Sequence, residues 1–119
     1  MTGHSPASTV LVAAVTSPAE ADYAIAAGAD MIDGSALSGQ AVAAIRARHP
    51  RARLWASSPA VADVEGESLA AVVATAAVLA WLGTPAIRTR QVLPVRRAID
   101  MTCTIAGTRL PALTTRGLA

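Results

Sequence analysis

The chain contains no lysine, no asparagine and no phenylalanine, and all ten of its basic residues are arginine. Without lysine there is no lysine Schiff base and no lysine general base, and without asparagine there is no asparagine ligand. Only 15% of the residues are charged, and the formal net charge is +2. The arginines are scattered rather than gathered into a dense stripe, so nucleic acid is not an expected partner. The single Cys103 cannot close an internal disulfide, and a reducing, cytoplasmic setting fits that usage. Residues 1–8 lack the basic-then-apolar layout of a signal peptide. The longest uncharged apolar run, Leu69 to Leu82, is shorter than the about 20 residues a membrane span needs, so no membrane partner is expected.

What is present is small and apolar. Hydrophobic residues make up 53% of the chain, and alanine and valine carry most of that count. Such a composition excludes a disordered tail and suits helices packed closely on strands. The 119 residues are enough for one small domain with its own core. They are roughly half of the about 250 that a complete (β/α)₈ barrel uses.

Four strand-helix units can be read along the chain. Thr9–Val15 is a β-branched apolar run with a buried-strand pattern. Ser17, Pro18 and Glu20 then supply an N-cap, a first-turn proline and the third-position acid of a capping box, and Gly28 stops the helix. Residues 29–34 read as a short strand with a polar tip. Ser38 caps a helix through Val42, Ile45 and Arg48 that ends at His49-Pro50. Residues 53–57 form the third strand, followed by a longer loop over 58–67. Ser68 caps the helix Leu69–Leu82, closed by Gly83. Ala86–Thr89 is the fourth strand, and Pro94 sits in the first turn of a helix running to about Ile105, closed by Gly107.

Strict alternation of strands and helices predicts a parallel sheet with helical crossovers. The expected organisation is an arm over 1–8, a (βα)₄ domain over 9–107 and a tail over 108–119. Four parallel strands leave two open edges and one exposed sheet face. The third helix is apolar on all sides, a pattern that calls for burial on more than one side. Both features point to association: the expected architecture is half of a (β/α)₈ barrel completed by a second copy. The rival is an open flavodoxin-like sheet with helices on both faces and a fifth strand from the tail.

Two segments resemble dihydropteroate synthases. Ala27-Gly28-Ala29-Asp30-Met31-Ile32-Asp33-Gly34 looks like the second barrel strand of that family, where a GAD-x-ID-x-G run precedes a serine-containing loop. Residues 77–107, with Ala80-Trp81, Gly83, Arg88-Thr89-Arg90-Gln91-Val92, Arg97-Ala98 and Met101, resemble its last strand with the helices before and after it. There the family carries an R-x-H-D/N-V motif. The opening VLVAAVTSPAE resembles, more loosely, the family's first strand and NVTPDS turn, and residues 54–59 sit where its SRK strand falls. The resemblance therefore spans about 100 residues and matches the first two and last two of eight units. It implies a barrel fold and a pterin-like or phosphorylated small-molecule ligand. Asp33 and Arg88 keep the family's residue types. The family's first-strand asparagine falls at Ala14, the lysine of SRK at Pro59 and the last-strand histidine at Arg90. The middle strands are missing, so dihydropteroate synthesis by this chain alone is not expected.

In barrels the active site lies where strands end and the following loops begin. Here those positions offer Asp33, Ser35, Ser57, Arg88 and Arg90 as ligand contacts, with Asp33 the one strand-end carboxylate available as an acid or base. Arg88 and Arg90 alternate on a strand and share a face, and guanidinium groups suit phosphate, carboxylate or a flat ring. Each has a structural alternative: Asp33 caps its loop or pairs with Arg88, and the arginines form salt bridges at an interface. No partner at metal-ligand spacing accompanies His4 or His49. Ser57 and Ser58 lack a nucleophile elbow, and Cys103 reads as a packed small hydrophobe. Arg96, Arg97, Arg109 and Arg116 give the last quarter a basic bias, either a solvated face or a docking surface for an acidic partner. The expected protein thus binds a small molecule in a composite homodimer site, and no cofactor is indicated. The alternative is a non-catalytic interaction protein that pairs with a partner such as a full-length synthase.

Overall fold

A computed structural model describes residues 9–55 and 61–107. Strand β1 (Val10–Ala14) leads through helix α1 (Pro18–Ala26) to β2 (Met31–Asp33), and α2 (Gly39–Arg48) leads to β3 (Leu54–Trp55). Strand β4 (Val61–Asp63), α3 (Leu69–Trp81), β5 (Ala86–Thr89) and α4 (Val92–Ile105) complete the order. The helices begin where local chemistry starts them. The hydroxyls of Ser17, Ser38 and Ser68 each accept from the backbone N–H three residues on, at 3.0 to 3.2 Å, and so satisfy one orphan donor per helix. The Glu20 carboxylate completes the first cap by accepting from the Thr16 N–H and hydroxyl.

All strand pairs are parallel, and the sheet order is β3-β2-β1-β5-β4. The architecture is therefore α/β, with four strand-helix units. One feature differs from the sequence reading. The segment read as a loop over 58–67 contains strand β4, whose Val61, Ala62 and Asp63 pair with Ala86, Ile87 and Arg88 of β5. The third unit's strand is thus divided between the two edges of the sheet. Strand β5 also lies beside β1, so the first and last units are neighbours and neither is an edge.

The helices lie on one side. Strand alternation puts Leu11, Ala13, Ile32 and Ile87 on a common face, and all four are buried in one core. That core also holds Ala21 and Ala24 of α1, Ile45 of α2, Val72 and Ala76 of α3, and Val95 and Ile99 of α4. A flavodoxin-like sheet would divide these helices between two faces; here one core takes all four. The fifth strand of that rival was expected from the tail, which lies outside the described residues. The opposite face carries Val12, Asp33, Arg88 and Asp63, related by the strand register. Two clamps fix the amino-terminal end of the sheet. Arg96 of α4 donates to the Gly28 carbonyl and to Asp30, which also accepts from the Leu11 N–H. Asp22 of α1 meets Arg48 and His49 at the end of α2.

Candidate functional site at the carboxyl rim of the sheet

The carboxyl ends of β1, β2, β4 and β5 and the turns that follow them bring Thr16, Asp33, Ser35, Asp63, Glu65, Arg88 and Arg90 to one rim. Arg88 stands at its centre. Its Nε lies 2.6 Å from Asp63 Oδ1, its Nη2 3.0 Å from Asp63 Oδ2, and its Nη1 2.9 Å from Asp33 Oδ2. The fork to Asp63 is bidentate, the geometry a planar guanidinium favours. Asp33 is buried, and its second oxygen accepts from the Ser35 N–H at 2.9 Å. Both structural alternatives for Asp33, capping its loop and pairing with Arg88, are therefore present at once.

These contacts set the charges. Burial is the largest influence on Asp33 and acts to raise its pKa. The Ser35 N–H and hydroxyl together with Arg88 outweigh it, and the carboxyl titrates below its ordinary value. Asp63 is also held low, first by its hydrogen bonds to Arg88, and Arg88 is pushed up by the same bonds. Glu20 is lowered, first by the Thr16 N–H and then by the Thr16 hydroxyl, with a smaller pull from Arg90. At neutral pH the rim holds ionised carboxylates facing guanidinium groups.

Arg90 differs from Arg88. Its backbone N–H is tied to Glu65 at 3.1 Å, but its exposed guanidinium makes no ion pair or hydrogen bond among the described residues. It borders a cavity of about 270 Å³ shared with Thr16, Asp33 and Ser35. A neighbouring cleft of about 310 Å³, with Tyr23 and Val92 in its wall, shares Ala14, Val15 and Arg90 with it. Of the expected contacts, Asp33, Ser35 and Arg90 meet at this cavity, Arg88 stands behind Asp33, and Ser57 lies outside the described residues.

The sequence pattern does not single out Asp63 of β4 or Glu65 just beyond it, because residues 58–67 read as a loop. The available signal was Val61-Ala62-Asp63-Val64, a short β-branched run around an acid, with Arg88 in need of a partner. No group of three or more His, Cys, Asp or Glu side chains able to hold a metal ion occurs among the described residues. No described helix is long and apolar enough to cross a membrane. Fold and rim define a parallel α/β protein of strand-helix units with polar side chains at the strand ends. No family model, curated protein or solved structure matches the chain.

Proposed function

We propose that the chain binds a pterin-like or phosphorylated small molecule at the carboxyl rim and does not itself carry out dihydropteroate synthesis. The observation that carries this reading is the Arg90 guanidinium, without a partner among the described residues, on a cavity of about 270 Å³ shared with Asp33 and Ser35. Arg90 offers the charge that a phosphate or carboxylate seeks. The Asp33 carboxylate accepts hydrogen bonds from the donor edge of a flat ring, and the neighbouring cleft gives an apolar wall. Arg88 serves by holding Asp33 in place, since its three guanidinium nitrogens already face carboxylates. A carboxyl held below its ordinary pKa is a weak base, so Asp33 acts as an acceptor. Binding without catalysis fits this arrangement.

The ligand class rests on the resemblance. In a closed eight-stranded barrel the last strand lies beside the first, and β5 pairs with β1 over four residues. Thr16, Asp33, Ser35 and Arg90 of one chain come together here from the ends of three strands.

Titration calorimetry with pterin, inorganic phosphate and pyrophosphate tests the reading. Binding of at least one probe is expected, with Arg90→Ala weakening it at least tenfold and Arg46→Ala on α2 leaving it unchanged. Absence of heat with all three probes, or equal affinity in Arg90→Ala, overturns it.

A further inference from the structure

We infer that the outer face of α3 and α4 is where a second copy of this chain docks. The two helices follow parallel strands and pack closely along their length. Rows of residues four apart form ridges on a helix. Here the rows that end in Trp81 on α3 and in Ile105 on α4 flank an apolar groove of about 520 Å³ and its continuation. Leu69, Val78, Trp81, Met101 and Ile105 are each more than half exposed, Trp81 at 59% and Ile105 at 68%. Between them these five side chains present on the order of 600 Å² of largely apolar surface, at the upper end of what a monomer leaves open. With the groove floor added, the face approaches the roughly 800 Å² per partner of a stable interface.

Charge selects the occupant. Arg97 is the one charged side chain lining the groove among the described residues. An acidic or a basic partner would therefore find almost nothing to pair with, whereas an identical apolar face is complementary to it. A two-fold axis through the groove sets the helix pair of one copy antiparallel to that of the other, which opposes their dipoles favourably. It also lays each Arg97 stem along apolar surface while the charge stays in water. This interface involves neither the rim nor the edges of β3 and β4.

Molar mass in solution, measured by light scattering across a hundredfold range of concentration, decides it. The full chain is expected at two-chain mass. Met101→Glu and Ile105→Glu, both at exposed positions and so with unchanged circular dichroism, are expected at one-chain mass. A one-chain mass for the unsubstituted protein overturns the proposal. If Leu110→Glu with Leu113→Glu then raises acrylamide quenching of Trp81 in a Trp55→Phe background, the face belongs to the chain's own tail. A dimer that survives both glutamate substitutions also overturns it and places the contact elsewhere, such as the sheet edges. A one-chain Met101→Glu variant that still binds pyrophosphate leaves the rim reading standing, so the two proposals fail separately.

Discussion

Arg88 of β5 reaches past the intervening strand β1 to place Nη1 2.9 Å from Asp33 Oδ2 on β2. With its other two nitrogens it holds Asp63 of β4 on the far side. One guanidinium thus ties together three strands of the sheet. The Asp33 side chain is only 9% exposed and that of Arg88 32%, so their pairing is less screened than an ordinary surface ion pair.

Removing the guanidinium leaves the Asp33 charge buried without its counter-charge. Arg88→Ala is expected to cost about 2–3 kcal/mol, below the figure for a fully buried pair because Arg88 is partly wet. Asp63→Asn removes the more exposed partner and is expected to cost less than about 1 kcal/mol. Urea unfolding monitored by circular dichroism compares them. Equal losses would show that the Asp33 pair adds nothing beyond the Asp63 pair and that burial of Asp33 does not matter.

Acid should loosen the same cluster. Asp33 and Asp63 titrate below their ordinary values in the folded chain, whereas an unfolded aspartate titrates at about 3.9. The unfolded chain therefore binds more protons in this range, and stability rises with pH. The contribution is complete above about pH 4 and is lost as pH falls through the lower folded values. The urea midpoint, followed from pH 7 to pH 2.5, is expected to fall more steeply in the parent than in an Asp33→Asn, Asp63→Asn double variant. Parallel curves would sink the ion-pair account.

Gly28 closes α1 with a φ of +100°, a conformation that costs a side-chain-bearing residue about 1–2 kcal/mol. A Cβ there would also come within 2.9 Å of the Arg96 Cδ, and Arg96 is the residue that clamps the Gly28 carbonyl and Asp30. Gly28→Ala is expected to lower stability by about 2 kcal/mol or more. Gly83→Ala is strained by its φ of +79° but meets no neighbouring atom within 4 Å, so it should cost less. Matching thermal melts of the two variants would remove the Arg96 contact from the explanation.

Ile45 is the one fully buried residue of α2. Ile45→Ala is expected to cost about 2–4 kcal/mol through lost contacts and the cavity left behind. The loss should concentrate in α2 and the adjoining β3 edge. Hydrogen exchange read residue by residue checks this: equal loss of protection in α3 and α4 would mean that α2 is not a separable unit.

The individual helices and most strands follow from chemistry local to the chain. Ser17, Ser38 and Ser68 start helices where a side-chain oxygen meets a nearby backbone N–H, and Pro50 and the terminal glycines stop them, because caps and turns depend on a few adjacent residues. The alternation of strands and helices likewise carried the parallel sheet. The remaining features come from contacts between distant parts of the chain. Strand β4 is three residues long and exists through its pairing with β5 about 25 positions away, which no local pattern contains. The placement of β5 beside β1, the gathering of all four helices into one core, and the spending of Arg88 on Asp33 and Asp63 are long-range choices of the same kind. Arginine at positions 88 and 90 alternates identically in the sequence. Strand neighbours gave one of them two carboxylates and left the other facing a cavity, because electrostatic pairing depends on distance in space and not on separation along the chain.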